Sequence, residues 1–231
     1  MKIAIIPARG GSKRIPKKNV KLFAGRPIIS YSIMAALESE SFDRVIVSTD
    51  DHEICEIAKR YGAEVPFLRP EELSDDHSGT TPVIIHAIQH MLKIGHCVDE
   101  VCCIYPTAPM IASDDIQKGL ELLIKEKPKF VFSATSYPFP IQRAFKINNN
   151  QNAELLWSEN HFVRSQDLID TFHDAGQFYW GSSKAWINQT NMYDDGAIPL
   201  LIPRHRTQDI DTLEDWVRAE YLFATVKVKA E

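Results

Sequence analysis

The 231-residue sequence predicts an α/β fold built on a largely parallel sheet. Three observations lead there: short runs rich in Val and Ile recur along the chain, segments of helical period separate them, and several of those segments open on Asp or Thr. With 44% hydrophobic and 25% charged residues, the chain also has the composition of a protein with a core of its own.

The strands come first. Lys2 to Ile6, Arg44 to Ser48, Val101 to Tyr105, Phe130 to Ala134 and Leu200 to Ile202 are short and nearly continuously apolar, as strands covered on both faces must be. The helices between them are Pro27 to Glu38, Asp51 to Tyr61, Thr81 to Ile94, Asp114 to Lys125 and Thr212 to Thr225. Asp50 or Asp51 caps the second of these and Asp211 or Thr212 the last. In such a fold, ligands collect beyond the carboxyl ends of the strands. The alternation stops between about Pro138 and Gly176, where prolines, scattered aromatics and the polar run Asn148 to Asn152 take over. A stretch of that length is too long for an idle loop. It is expected to be a β-rich insertion, with Asn148 to Asn152 at a hairpin tip, that either covers a site or pairs with another subunit. The chain is otherwise expected to be one domain over 1–231.

Charge narrows the function. A net charge of -5 does not suit a protein that grips nucleic acid or an anionic membrane through a bulk positive field, so neither is an expected partner. No run approaches the ~20 apolar residues of a membrane span, and Met1-Lys2 leads straight into a strand, so the expected location is the cytoplasm. Cys55, Cys97, Cys102 and Cys103 lack ligand spacing and are expected to be buried thiols. His86 and His90, a helical pair, lack a third ligand and are expected to be packed or surface histidines. Trp157, Trp180, Trp186 and Trp216 are expected to anchor the core or an interface.

Against that acidic background, Arg9, Lys13, Arg14, Lys17 and Lys18 fall within ten residues, directly after the first strand. Gly10 and Gly11 allow the backbone to come close to a ligand, and Arg9, Lys13 and Lys18 can neutralise a polyphosphate. The spacing matches neither the P-loop nor the dinucleotide fingerprint. A triphosphate cradle is one interpretation and a solvated basic loop the other. Near the other end, Asp209 and Asp211 flank one residue. On an extended segment both carboxylates point to one side and can share a hard cation such as Mg²⁺, whereas on a helix start they and Asp215 would merely cap.

The segment Arg9-Gly10-Gly11-Ser12-Lys13 with Lys18-Asn19 after an Ile-Pro-Ala strand end resembles the signature of the CMP-sialic acid synthetase group of cytidylyltransferases. The resemblance returns at Val47-Ser48-Thr49-Asp50, at Leu68-Arg69-Pro70-Glu71-Glu72-Leu73 with Asp76, at Tyr105-Pro106-Thr107-Ala108-Pro109, and at Asp209-Ile210-Asp211-Thr212 with Asp215. Within that group the runs Phe139 to Phe145 and His173 to Gly181 are similar to the branch that acts on pseudaminic acid. The resemblance implies a Rossmann-like nucleotide-diphospho-sugar transferase fold: a mixed, mostly parallel sheet flanked by helices, with a small β-rich dimerisation insertion. It implies an enzyme that joins CMP from CTP to a nine-carbon 2-keto-3-deoxy sugar acid with Mg²⁺ on Asp209 and Asp211, and catalysis resting on Arg9, Lys13 and Asp211. It implies nucleotide contacts from Arg9, Gly10, Gly11, Ser12, Lys13, Lys18, Asn19, Arg69, Thr80 and Tyr105. Tyr105 stands where the sialic acid synthetases carry Gln beside the base. Sugar contacts are implied for Arg143, Arg164, Gln177 and Tyr179, with the arm of a homodimer donating Arg164 to its partner. A sialic or legionaminic acid synthetase, or a glycosyltransferase or non-catalytic nucleotide-sugar binder of similar architecture, are the alternatives.

Overall fold

The computed structural model describes residues 1–75, 78–193 and 196–228, the side chains of 227 and 228 excepted. Asp76 and His77 therefore lie outside the described residues. In chain order the elements are β1 Lys2–Pro7, β2 Leu22–Phe23, β3 Arg26–Pro27, α1 Ile29–Glu38, β4 Arg44–Ser48, α2 His52–Arg60, α3 Thr80–Lys93, β5 Glu100–Ile104, α4 Ser113–Glu126, β6 Phe130–Ser136, β7 Phe145–Ile147, β8 Ala153–Leu155, β9 Phe172–Ser182, α5 Ser183–Ile187, β10 Ala197–Leu201 and α6 Leu213–Val228. Among the described residues no helix is long and apolar enough to cross a membrane.

Six strands form one sheet in the order β10-β6-β9-β5-β1-β4. All neighbours run parallel except β9, which is antiparallel to both β5 and β6. Side chains alternate across the sheet with period two, and both faces are covered. Ala4, Ile6, Cys102, Ile104 and Trp180 meet α1, α2 and α4 on one face. On the other, Ile3, Ile5, Val101, Cys103 and Tyr179 meet Ile84, Ala87, Ile88 and Met91 of α3 and Trp186 of α5. A third cluster packs Trp216, Ala219 and Phe223 of α6 against Phe23 of β2, Ile15 and Ile210.

The differences from expectation have local causes. β9 is unexpected: it lies at the centre of the sheet, yet its opening FHDAG is polar and carries none of the Val and Ile density of the parallel strands. Its first residues, 172–176, are the end of the stretch that breaks the alternation. The capping is divided, since Asp51 caps α2 by accepting from the Ile54 amide at 3.0 Å, whereas Asp50 does not take part. Thr212, not Asp211, caps α6: its hydroxyl accepts from Asp215 N at 3.2 Å, while Asp215 accepts from Thr212 N at 2.8 Å. Cys55, Cys102 and Cys103 are buried, but Cys97 is exposed, because it sits in the turn between α3 and β5 and not in the sheet. His86 and His90 pack edge-on and tilted against Phe67.

Between β6 and β9 the chain leaves the sheet as an arm. Its β7–β8 hairpin turns at Asn148, whose carboxamide oxygen accepts from the amides of Asn150 and Asn152, both at 3.0 Å.

Candidate active site

Three chain segments leave the carboxyl end of the sheet side by side. The basic loop follows β1, Asp50 follows β4, and Tyr105-Pro106-Thr107 follows β5. The loop is fixed from within the fold. Ile15 is fully buried in the third cluster, and the Asn19 carboxamide donates to the Arg9 carbonyl at 2.9 Å. Gly10 donates its amide to Asp50 at 2.9 Å, and a Cβ there would sit 2.7 Å from an Asp51 carboxylate oxygen. The start of α2 therefore demands glycine at position 10 by itself. A Cβ on Gly11 would meet nothing, and Gly11 does face the cavity.

That cavity, of ≈ 430 Å³, is lined by Arg9, Gly11, Ser12, Lys13, Arg14, Lys18 and Asn19 of the loop and by Pro106 and Thr107 across from it. Lys17 turns away: its backbone is left-handed and its ammonium meets Glu53 at 2.6 Å. An adjoining cavity of ≈ 270 Å³ shares Arg9, Pro106 and Thr107 and adds Arg69, Thr80 and Tyr105. Arg69 is 6% exposed; burial pulls its guanidinium down to about 10, with Asp50 opposing and Arg9 reinforcing the shift. Its Nε donates to Ser48 Oγ at 3.2 Å and its Nη2 to the Ser48 carbonyl, so it also clamps the end of β4. The Thr80 and Tyr105 hydroxyls lie 3.4 Å apart.

The acidic segment arrives from the far end of the chain. Arg14 donates to an Asp211 oxygen at 2.7 Å, and Lys18 reaches the Ile210 carbonyl at 2.6 Å and the same Asp211 oxygen at 3.5 Å. Ile210 is fully buried between Asp209 and Asp211, which turns the flanking carboxylates away from the core together. Desolvation and the Asp211 charge raise the Asp209 pKa, while Lys18 opposes. Because Thr212 and Asp215 do the capping, Asp209 and Asp211 are left to other work. Among the described residues no three His, Cys, Asp or Glu side chains gather into a cage. Two hard oxygen donors beside a basic cavity suit a cation that keeps its waters and takes phosphate oxygens, as Mg²⁺ does.

On the sugar side the structure separates the expected residues. Gln177 and Tyr179 lie in the sheet on β9, where the Gln177 side-chain amide donates to the Arg206 carbonyl at 2.6 Å. Arg143 and Arg164 belong to the arm, outside the cavities just described. Arg143 donates to the Val163 carbonyl, and Arg164, with its side chain 72% exposed, pairs with Asp167 at 2.8 Å. Sequence reasoning missed Pro106 and Thr107, which line both cavities, although they stand in the motif Tyr-Pro-Thr-Ala-Pro.

A family model for cytidylyltransferases matches residues 3–216. A pseudaminic acid cytidylyltransferase of Campylobacter jejuni is 46% identical over 222 residues, 96% of this chain and 95% of that one. A CMP-N,N'-diacetyllegionaminic acid synthase of Legionella pneumophila is 32% identical over 225 residues, 95% of each chain. A solved CMP:2-keto-3-deoxy-manno-octonic acid synthetase complexed with CTP superposes with a TM-score of 0.69 at 18% identity, over 97% of this chain and 98% of that one, a likeness of fold.

Proposed function

The chain belongs to the cytidylyltransferase family, and from that premise we propose that it transfers CMP from CTP to the anomeric 2-hydroxyl of pseudaminic acid, a nine-carbon sugar acid. The observation that carries the reading is the meeting of the basic loop with the acidic segment. Arg14 and Lys18, which line the basic cavity, touch residues 211 and 210, 197 and 192 positions away in sequence, and so bring the acidic segment against the wall of that cavity.

In the reaction the sugar hydroxyl oxygen forms a bond to the α-phosphorus, the bond to the β-phosphate bridging oxygen breaks, and pyrophosphate leaves. The hydroxyl proton passes to solvent or to a product oxygen. Arg9, Ser12, Lys13 and Lys18 hold the triphosphate and stabilise the charge that grows on the leaving group, with Asn19 keeping the loop closed beneath them. Arg69, Thr80 and Tyr105 border the nucleoside. Asp209 and Asp211 would hold Mg²⁺, which when bound would neutralise phosphate charge and lower the pKa of the attacking hydroxyl. Gln177 and Tyr179 lie toward the sugar from within the subunit. Arg143 and Arg164 reach it from the arm, about 138–176, of a second copy in a homodimer working in the cytoplasm.

The test is pyrophosphate release and the mass of the CMP adduct with CTP, Mg²⁺ and a panel of pseudaminic, legionaminic and N-acetylneuraminic acids. The expected result is fastest turnover with pseudaminic acid, abolished by EDTA. Release of no pyrophosphate with any of the three sinks the proposal, and a preference for another acid reassigns the substrate.

A further inference from the structure

The acidic pair is carried by a connection between elements. From the end of β10 at Leu201 to the start of α6 at Leu213 the chain makes only one 3₁₀ turn, Arg204–Arg206, and Asp209 and Asp211 follow that turn. A hard cation that keeps its waters tolerates little error in where its carboxylate oxygens lie. The backbone that presents them has to be fixed.

Its two ends are fixed by the sheet and by the third cluster. The Ile202 amide donates to the Ala134 carbonyl of β6 at 2.7 Å, the Thr135 hydroxyl donates to the Ile202 carbonyl at 2.8 Å, and Ile210 is buried against α6. Between those ends one residue is held twice. The Arg206 guanidinium donates to Asp115 Oδ2 of α4 at 2.6 Å, and the Arg206 carbonyl accepts from the Gln177 side-chain amide of β9, also at 2.6 Å. The ion pair is shielded from water, with side-chain exposures of 8% for Asp115 and 20% for Arg206 against 41% and 65% for Asp211 and Arg14. A shielded, charge-assisted contact resists the loss of either partner far more than an exposed one does. Asp115 is itself a firm post: it lies in the first turn of α4, where the helix favours negative charge, next to Ile116, whose carbonyl accepts the buried Trp180 indole at 3.1 Å. Arg204, His205, Thr207, Gln208 and Asp209 all line a cavity of ≈ 740 Å³ on the arm side. Arg206 is the one residue of that run that turns away from it, toward the frame.

We propose that Arg206 is a positioning residue for the acidic pair: clamped by Asp115 and Gln177, it sets the path of the chain that brings Asp209 and Asp211 to the nucleotide. The inference rests on the transfer reading above and deepens it. Arg206 lines neither the basic cavity nor the adjoining one, so it acts through the carboxylates and not on the substrate.

The test compares the wild type with Arg206→Met, Arg206→Lys and the double variant Asp115→Asn with Arg206→Met, taking Asp211→Asn as the scale for loss of a ligand. Two quantities are read: Mn²⁺ bound by the enzyme with CTP and no sugar acid, followed by the spin resonance of the free ion, and the Mg²⁺ dependence of kcat. Arg206→Met is expected to weaken Mn²⁺ binding and to raise the Mg²⁺ needed for half-maximal rate by about tenfold each, as loss of a group that orients metal ligands does. It should lower kcat by about 10²-fold, the cost of a misplacement of ~1 Å, and leave KM for CTP at saturating Mg²⁺ within about threefold. Arg206→Lys, which keeps the charge but not the fork, should fall between the wild type and Arg206→Met. The double variant should lose no more than Arg206→Met, because the two residues form one clamp. Losses that multiply in the double variant would put Arg206 to work apart from Asp115 and overturn the inference. Mn²⁺ binding and Mg²⁺ dependence at wild-type values in Arg206→Met overturn it as well, whatever happens to Tm, since a purely structural role would leave both unmoved. Where Arg206→Met does not fold, the double variant, which strands no charge, decides in its place. A wild type that binds Mn²⁺ with CTP yet releases no pyrophosphate with any sugar acid defeats the transfer reading, and the Mn²⁺ comparison then still decides the clamp.

Discussion

At the scale of single residues, Asp209 and Asp211 share a motif but meet different surroundings. Asp211 sits in an ion pair with Arg14. Asp209 has a pKa raised by desolvation and by Asp211. The folded chain therefore holds the Asp209 proton more tightly than the unfolded chain does, and its contribution to stability falls as pH rises through the ordinary aspartate value toward neutrality. Asp209→Asn removes that cost. We expect it to abolish turnover and yet raise Tm at pH 7 by on the order of 1–3 °C, with the gain vanishing below about pH 4. A lower Tm at pH 7 would show that Asp209 is a structural ion. In the basic loop, Arg9→Ala and Lys13→Ala should each lower kcat/KM for CTP by about 10²-fold, as loss of a charge-assisted contact that strengthens in the transition state requires. Lys17→Ala should change it by less than about threefold, since Lys17 meets Glu53 outside the cavity. Equal small losses at all three would mean a diffuse basic surface. The clustered cations and the Asp-x-Asp spacing could be read because each lies within a few residues of sequence. The place of Gly10 could not, because the atom that forbids a side chain belongs to Asp51, and nothing local announces Asp174 as the carboxylate shared by Tyr179 and Tyr193.

At the scale of elements, the five parallel strands were legible because each is apolar on both faces, whereas β9 was hidden by the irregularity that makes it useful. Between the pairs Phe132↔Tyr179 and Ala134↔Asp174, β6 contributes one residue, Ser133, and β9 four. This bulge keeps Ala175, Gln177 and Phe178 buried and sets Asp174 and Gln177 at the site end of the sheet. It needs Gly176 at φ 63° and a buried hydroxyl: Ser133 Oγ accepts from the amides of Gln177 and Phe178 at 3.1 and 3.2 Å. Ser133→Ala leaves both amides without that acceptor in a fully buried position. We expect a loss of about 1–3 kcal/mol by chemical denaturation, and a larger rise in KM for the sugar acid than for CTP. Equal rises in both would mean that the bulge merely supports the sheet.

At the scale of the whole molecule, the proposed homodimer rests on the arm. Phe162 is 93% exposed, Ile169 81%, Phe139 79% and Ile147 66%, spread along an arm whose hairpin has strands of only three residues and which does not bury them itself. Arg164 also projects from this arm rather than into the cavities of its own subunit. A two-fold axis would cover both apolar faces at once and carry each Arg164 to the neighbour's sugar, where a carboxylate awaits a guanidinium. In a homodimer so arranged, each active site takes its acidic pair from one chain and its arm arginine from the other. Arg164→Ala and Asp211→Asn homodimers should then both be inactive. Unfolding and refolding the two together should give mixed dimers in which one site carries both lesions and the other neither. With random pairing half the dimers are mixed and each regains one of two sites, so about a quarter of wild-type activity should return. An arm that folds over its own site instead predicts no recovery, because each chain would still lack one required residue. A sedimentation experiment showing a monomer at micromolar concentration, or stable mixed dimers without activity, would refute the shared site.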